Sequence, residues 1–262
     1  MIDVNEIFCK ADDFFKEFEP KFRKHLIQDG LKRNRSTEMS ISEMMTIMIL
    51  FHQSCYRNFK GYYNAHVKIH LKKEFPTLVS YSRFVQLMPR MIVPFLAFLQ
   101  SIKGKSTGIS FVDSTSISVC KNKRINRNSV FKGLATRGKS TMGWFFGFKL
   151  HLIVNDKGDL VSWTLTKGHV DDRKPVPSMA KNVKGKLFAD KGYISQPLFK
   201  ELFEKGTHLI TNIRSNMKNR LLPIMDRIML KKRFIIETIN DQLKNISQIE
   251  HSRHRSPFTS VR

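Results

Sequence analysis

The spacing of the apolar residues changes at one point along the chain, and this change limits the folds that the sequence can adopt. Up to residue 103, Met, Leu, Ile and Phe recur at three- and four-residue intervals, which is typical of amphipathic helices. The flexible, polar stretch GKSTG then marks a boundary, and strand-like segments follow it. The sequence therefore predicts a helical N-terminal region over residues 1–103 and an α/β domain with a mixed sheet over residues 104–262.

Two motifs occur in the helical region. SISE, residues 40–43, has the form of a capping box, in which Ser40 caps a helix and Glu43 reaches back. YSRFVQLM is a candidate second helix of a helix-turn-helix-like pair. Such a pair either reads DNA or packs only to form a core, and the sequence is compatible with both.

Strand signals dominate the second region. Turn NDKG joins two of the segments as a hairpin, and a helix over about Gln196 to Glu204 precedes the last of them. The strand-like segments are ISFVDSTSIS, WFFGFKLHLIV, DLVSWTLTKG, KLFADKGY and HLITNI. KRFIIETINDQLKNISQI, residues 232–249, then has helical spacing. Meander strands, helix-linked strands and a final helix predict a mixed α/β sheet.

The charge of the chain indicates a polyanionic partner. Lys and Arg number 46 against 22 Asp and Glu, which gives a net charge of +24. Because solubility alone does not need so one-sided a charge, nucleic acid is the first partner to consider and a solubilising surface is the alternative.

Cysteines and apolar runs bear on the compartment. The three cysteines are far apart and outside any CxxC pair, which argues against a disulfide framework or a zinc site. The longest apolar runs, MMTIMILF and MIVPFLAFL, fall short of the roughly 20 residues that span a bilayer. We therefore expect no membrane association and a cytoplasmic location.

Three carboxylates interrupt apolar patterns in this basic chain. Asp113 lies inside the first strand-like segment, Asp190 ends the fourth, and Glu237 lies among Ile235, Ile236 and Ile239 on the last helix, where we expect it to point toward the sheet. Taken singly, each has an ordinary explanation: Asp113 capping a turn, Asp190 forming an Asx-turn, Glu237 pairing with Arg233. Their strand, strand, helix order favours a shared site.

A cluster of three carboxylates needs a cation. At about 4 Å each pair repels by roughly 4 kcal/mol at an effective dielectric of 20. Oxygen ligands without Cys or His select Mg²⁺ or Mn²⁺. Two such ions would activate an attacking water or 3′-hydroxyl and stabilise the leaving oxygen of a phosphodiester.

The segments FVDSTSI, FADKGY and RFIIETINDQLKN resemble the three signature blocks of DDE transposases of bacterial insertion sequences, most closely the insertion sequence 982 family. Arg233, Glu237 and Lys244 reproduce the spacing of the third block. Leu230 stands where a Tyr often precedes the Arg. The resemblance covers essentially the whole chain.

The resemblance implies an RNase H-like catalytic domain in which Asp113, Asp190 and Glu237 bind two Mg²⁺ ions, with Mn²⁺ as a substitute. Such enzymes cut at the terminal inverted repeats of their element and join the 3′ ends to target DNA. It further implies assembly as a homo-oligomer on double-stranded DNA in the bacterial cytoplasm, at the nucleoid.

The basic residues near the signature blocks have two interpretations. Arg233 and Lys244, on the helix of Glu237, either contact DNA phosphate near the cut or form a solvated helix face. Lys191, next to Asp190, is a further candidate phosphate contact.

Other candidates are less specific. GHVDDRKP offers His169, Asp171 and Asp172 to a metal, but we expect Asp171 to cap a helix instead. His151 alternates with apolar residues and is expected to be a structural or substrate-edge histidine rather than a ligand. Trp144 and Trp163 either stack on a base or are buried between sheet and helices, and burial is the expectation.

The C-terminal residues HSRHRSPFTSVR do not read as the further apolar helix of the transposases that the chain resembles, which is compatible with a truncated or frame-disrupted copy. Two alternative functions follow: a catalytically inactive remnant that only binds DNA, and a metal-dependent DNA nuclease that does not join strands.

Overall fold

A computed structural model describes residues 3–28, 37–54, 56–141, 143–213, 217 and 221–250, with the side chains of 23–28 excepted. Cys55 and the C-terminal HSRHRSPFTSVR segment therefore lie outside the described residues. The chain divides into two compact units. One is Met1–Ile102 together with Ile246–Arg262, and the other is Lys103–Asn245.

The first unit is helical. Its helices are α1 (Val4–Gln28), α2 (Ile41–Gln53), α3 (Phe59–Tyr62), α4 (Lys68–His70), α5 (Tyr81–Leu87) and α6 (Ile92–Ser101), with a π-helical turn at Tyr63–Val67 and a 3₁₀ turn at Met88–Met91. The predicted capping box is confirmed at α2, where the Glu43 N–H donates to Ser40 Oγ at 3.1 Å and the Ser40 N–H donates to Glu43 Oε2 at 2.6 Å. Capping fixes the start of α2, whose Met and Ile side chains then enter the core of this unit.

One helical stretch of this unit passes a simple test for a membrane span. Tyr81–Ser101 is 21 residues long and is apolar enough to cross a membrane by length and composition alone, as are the core helices of some soluble proteins. Phe84, Leu87 and Met91 from this stretch are buried in the core of the unit.

The second unit is built on one six-stranded mixed sheet. Its strands are β1 (Ile109–Cys120), β2 (Thr136–Ser140), β3 (Gly143–Asn155), β4 (Leu160–Lys167), β5 (Gly185–Ala189) and β6 (Thr207–Thr211). β3 pairs antiparallel with β1 on one side and with β2 and then β4 on the other, while β5 pairs parallel with β1 and with β6. This three-strand meander followed by two helix-linked parallel strands confirms the mixed, RNase H-like α/β fold.

Helices cover both faces of the sheet. They are α7 (Val176–Met179), α8 (Gln196–Glu204), α9 (Ile224–Lys231) and α10 (Phe234–Asp241). On one face, Val112 of β1 packs with Leu198 and Leu202 of α8. On the other, Phe111 packs with Ile236 of α10. Because side chains alternate along a strand, Asp113 lies on the face that α10 covers.

The strand β2 was not predicted. Its sequence, TRGKS, has no apolar alternation, yet it pairs with the first five residues of β3. Gly138, Gly147 and Gly168 lie close together at the point along β3 where its pairing partner changes from β2 to β4. A Cβ on Gly147 would lie 1.9 Å from the carbonyl oxygen of Ile117, and one on Gly138 would lie 2.1 Å from that of Gly168. Only glycine allows backbones to approach so closely.

Candidate active site

Asp113 and Asp190 lie where two parallel strands separate. β1 pairs with β5 only over Ile109–Phe111, opposite Lys186–Phe188. Continuing that register by two residues sets Asp113 beside Asp190, immediately after β5 ends at Ala189. The Asp190 side chain also accepts a hydrogen bond from the Gly192 N–H at 2.8 Å, which forms the expected Asx-turn. Asp190 thus makes this turn and still lies next to Asp113.

Burial dominates the electrostatics of Asp113. Desolvation, with a smaller contribution from the negative charge of Asp190, raises the pKa of Asp113 to about 6. The Ser114 N–H, the charge of Arg233 and the amide of Asn240 oppose that rise. The structure thus brings two of the three predicted carboxylates together and leaves one of them costly to ionise.

Asn240 links α10 to this pair. Its Nδ2 donates to Asp113 Oδ2 at 2.9 Å. Asn240 is buried, and in the described part of the chain its Oδ1 has no hydrogen-bond partner. Nothing in the TIND sequence singled out this residue, because an Asn at an apolar-periodic position carries no signal of its own.

Glu237 does not point into the pair. Its side chain is 58% exposed, and its Oε1 lies 3.4 Å from Arg233 Nη2. The expectation that Glu237 faces the sheet is therefore wrong for this arrangement, because Ile236 and Asn240 occupy that face of α10. Glu237 is nevertheless three residues, just under one helical turn, from Asn240.

Arg233 lies between the acidic groups. Its side chain is only 13% exposed. It pairs with Glu237, and its charge also lowers the pKa of Asp113. A guanidinium in this position compensates the charge of both carboxylates. Because Arg233 is largely buried, the solvated helix face expected as the alternative does not describe it.

The other two predicted phosphate contacts occupy different positions. Lys244, in the π-helical turn Gln242–Ile246 after α10, has its Nζ 3.5 Å from Ser116 Oγ of β1. Lys191 is exposed in the 3₁₀ turn Lys191–Tyr193 that follows Asp190. Lys191 directly follows Asp190 in the sequence. Ser116, which Lys244 contacts, lies three residues after Asp113 on β1.

Tyr193 is a buried residue, three positions after Asp190, that the sequence did not single out. Its side chain is buried, and burial followed by the charge of Asp113 raises the pKa of its hydroxyl above the usual range. Tyr193 therefore stays protonated, and it packs in the core on the Val112 face of the sheet. The only signal in the sequence was its position three residues after Asp190.

The opposite face of the sheet holds a separate polar group. Lys149 Nζ pairs with Asp172 Oδ1 at 2.9 Å and donates to the Val170 carbonyl. His151 is fully buried, its Nε2 lies 2.8 Å from Thr166 Oγ1, and burial lowers its pKa to about 4. His151 is therefore neutral at pH 7 and packed inside the sheet.

The GHVDDRKP loop contains no helix cap at Asp171. Asp171 pairs with Arg173 instead, which lowers its pKa to about 2, and α7 starts only at Val176 after Pro175. His169 bonds to Thr136 Oγ1 at 2.9 Å. These side chains are engaged in loop contacts rather than gathered as ligands.

The donor set fits a hard divalent ion in part. Among the described residues, no group of three or more His, Cys, Asp or Glu side chains is arranged to hold a metal. Mg²⁺ is, however, commonly bound by one or two carboxylates together with water and substrate phosphates. Asp113, Asp190 and the unsatisfied Oδ1 of Asn240 supply oxygens of that kind.

The second unit is thus an RNase H-like sheet in which Asp113 and Asp190 lie where β1 and β5 separate, next to α10. The chain belongs to the transposase DDE domain family, whose model matches residues 103–257. Domains of this family generally use divalent metal ions.

Two solved structures are similar in part. A piggyBac transposase synaptic complex with hairpin DNA has 14% identity and a TM-score of 0.39, over 84% of this chain and 50% of that one. A simian T-cell lymphotropic virus intasome in complex with PP2A regulatory subunit B56 gamma has 13% identity and a TM-score of 0.25, over 66% of this chain and 59% of that one. The chain spans about half the length of each, and nothing among the curated proteins matches it. The fold assignment rests on the strand order, not on these likenesses.

Proposed function

We propose that the protein is a DNA transposase, of the type found in bacterial insertion sequences of the 982 family, that cleaves the terminal inverted repeats of its element and joins the 3′ ends to target DNA. The observation that supports the proposal is that Asp113 and Asp190 lie where β1 and β5 separate, with Asn240 of α10 hydrogen-bonded to Asp113.

Asp113 and Asp190 would hold Mg²⁺, or Mn²⁺ in its place, and Glu237 would complete a site for two ions. Glu237 has the freedom to do so, since its side chain is exposed and its contact with Arg233 is a long one of 3.4 Å. When bound, such ions supply an activated water or 3′-hydroxyl and stabilise the leaving oxygen. Asn240 orients the Asp113 carboxylate, and Arg233 compensates the charge of Asp113 and Glu237.

The basic chain supplies the affinity for DNA. A net charge of +24 attracts a polyanion without regard to sequence. We place Lys191 and Lys244 among the phosphate contacts, because they flank the acidic pair. Arg233 is less accessible to a phosphate than they are.

Replacing Lys191 or Lys244 with Ala is expected to weaken DNA binding and to reduce the slope of log K against log salt by about 1 each, because each removes one phosphate contact. Fluorescence anisotropy on labelled duplex between 50 and 200 mM salt, ranges typical of such assays, measures the slope. Lys181→Ala, an exposed lysine beyond α7 on the other face of the sheet, is the matched control. An equal change in slope for all three variants would contradict the assignment.

Asp190→Ala is expected to reduce metal-dependent cleavage by roughly a thousandfold or more, since loss of a metal ligand removes several kcal/mol of transition-state stabilisation. The assay follows labelled element-end DNA with purified protein in Mg²⁺, in Mn²⁺ and in EDTA. DNA affinity should change little, because the charge that binds DNA is spread over the chain.

The products separate the candidate functions. Joined 3′ ends identify a transposase, whereas cleaved but unjoined ends identify a nuclease. Tight binding with no product in either metal would show a protein that only binds DNA. Normal cleavage by Asp190→Ala would remove Asp190 from the site.

We also propose that the protein acts in the bacterial cytoplasm, at the nucleoid, as a homo-oligomer assembled on DNA. Two strand ends that are joined in one reaction need two active sites close together. Analytical ultracentrifugation with and without element-end DNA tests this, and a complex that contains a single copy on two ends would contradict it.

A further inference from the structure

Trp144 is exposed, contrary to the expectation of burial. The exposed fraction of Trp144 is 64%, whereas Trp163 packs against the core that lies under α10. Trp144 is the second residue of β3, and its strand partner there is Lys139 of β2. β1 pairs with β3 only from Phe146 onward, so among the described residues β2 alone pairs with the strand at Trp144.

The charged residues around Trp144 in the sequence are all basic. The sequence contains no Asp or Glu between Asp113 and Asp156, and seven Lys and Arg residues lie between Lys121 and Lys139. All seven side chains are exposed. We call this region the basic hairpin: the 3₁₀ turn Asn122–Arg127, β2 and the start of β3. The Asn122 side chain ties the turn to the hairpin by donating to the Trp144 carbonyl at 2.8 Å.

The indole has a defined orientation within this surface. The Nζ of Lys139 lies 6.0 Å from the centroid of the Trp144 ring, within the range of a cation–π contact. One face of the ring therefore meets a cation. A large exposed aromatic side chain lowers solubility unless a partner covers it. The basic side chains around Trp144 attract a polyanion, and the indole itself favours a partner with flat, apolar faces.

We propose that the basic hairpin binds single-stranded DNA and that an unpaired base stacks on Trp144. Stacking on an aromatic platform inside a positively charged surface is how proteins bind unpaired nucleic acid without reading its sequence. A paired base inside a duplex has both of its faces covered by its neighbours and cannot stack on the ring. This inference rests on the proposed function and deepens it by assigning a second DNA contact.

The basic hairpin is distinct from the acidic pair. Asp113 pairs with Leu152 on β3, and the eight residues from Trp144 to Leu152 correspond to about 26 Å of strand. The two sites would therefore contact different nucleotides of the same DNA end. Loss of one contact should leave the other measurable.

The test uses a 20-nucleotide oligo-dT strand and a blunt 20-base-pair duplex as probes. Because Trp144 and Trp163 are the two tryptophans of the chain, the Trp163→Phe variant reports the fluorescence of Trp144 alone. We expect oligo-dT to quench this fluorescence and the duplex to leave it nearly unchanged. In the otherwise native chain, Trp144→Ala should weaken oligo-dT binding by roughly tenfold or more, Trp144→Phe should restore part of the affinity, and duplex binding should stay within about twofold.

Phe203→Ala is the matched control, since Phe203 of α8 is an aromatic residue of similar exposure, 62%, outside the basic hairpin. It should bind both probes normally. Oligo-dT binding without quenching, with normal affinity in Trp144→Ala, would overturn the inference. Equal quenching by duplex would overturn the assignment to unpaired bases.

The proposed function fails in a different way. A protein that binds oligo-dT through Trp144 but cleaves no element-end DNA in Mg²⁺ or Mn²⁺ would keep this inference and lose the transposase reaction. A protein that cleaves and joins element ends while Trp144→Ala behaves normally would keep the function and lose the inference.

Discussion

Asp113→Asn is expected to make the metal-free protein more stable while it abolishes DNA cleavage. At pH 7 the Asp113 carboxyl is charged and buried in the folded protein, although burial raises its pKa from 3.8 to about 6. That difference destabilises the fold by roughly 3 kcal/mol at neutral pH. Asn has the same shape and no charge, and its Oδ1 can still accept from Asn240. The free energy of unfolding should therefore rise by about 2–3 kcal/mol.

The pH dependence has a defined sign. A carboxyl whose pKa is raised on folding holds its proton more tightly in the folded state, so its protonation favours folding. This contribution is fully present below about pH 4 and is lost as the pH rises through about 6. The stability difference between Asp113→Asn and the native protein should therefore be largest above pH 6 and should shrink toward pH 4.

Urea unfolding in EDTA, followed by tryptophan fluorescence, measures this difference. Both tryptophans, Trp144 and Trp163, lie in the unit that contains Asp113, so the signal reports that unit. Asp156→Asn, which removes an exposed carboxylate from the turn after β3, is the control and should change stability by less than about 0.5 kcal/mol. If Asp113→Asn lowered the stability instead, the buried-charge account would be wrong.

Added Mg²⁺ should remove most or all of the stability advantage of Asp113→Asn. A ligand that binds only the folded state stabilises it by about 2.7 kcal/mol at a hundredfold excess over Kd. The native protein should show such a gain and Asp113→Asn should not. A carboxylate that is costly in the metal-free fold and useful with metal is the pattern expected of a functional site.

Glu237→Ala is expected to abolish cleavage, by roughly a thousandfold or more, without a measurable loss of stability. The side chain is 58% exposed and makes one long contact, with Arg233. The helix α10 is held on the sheet by Ile236 and Asn240, which the substitution does not touch. Activity and stability should therefore separate completely at this position.

Asp241→Ala is the matched control for Glu237→Ala. Asp241 is an exposed carboxylate one helical turn further along α10, so both variants lose the same charge from the same helix. We expect Asp241→Ala to cleave and join DNA normally in the assay used for Asp190→Ala. Comparable losses in the two variants would point to the net charge of the helix, and full activity in Glu237→Ala would exclude Glu237 from the reaction.

Much of the α/β fold could be predicted because its strands alternate regularly and its turns are marked. KLFA and the WFFGFKLHLIV–NDKG–DLVSWTLTKG hairpin are of this kind. β2 was missed because TRGKS is polar throughout and is held by backbone pairing with β3 alone. The final helical segment was predicted from residue 232, but a separate helix, α9, precedes it and ends at Lys231.

The candidate site could be predicted in composition but not in orientation. Asp113 and Asp190 were found because an acid inside a strand and an acid at a strand end are both unusual. The rotation of α10 was not determined by Ile235, Ile236 and Ile239, because these three span too wide an arc to say whether Glu237 or Asn240 faces Asp113. Trp144 was expected to be buried because its segment is apolar, but the strand extends past the layers that would cover it.

Three glycines, Gly138, Gly147 and Gly168, lie where β2, β3 and the end of β4 cross. They make the direction of the basic hairpin independent of its charged side chains. Backbone contacts at Gly138 and Gly147 set its direction, and no charged side chain takes part in them. The lysines and arginines of the hairpin are therefore free to change over evolutionary time without moving the hairpin. Substitutions among them would change the charge of this surface while the crossing stays the same.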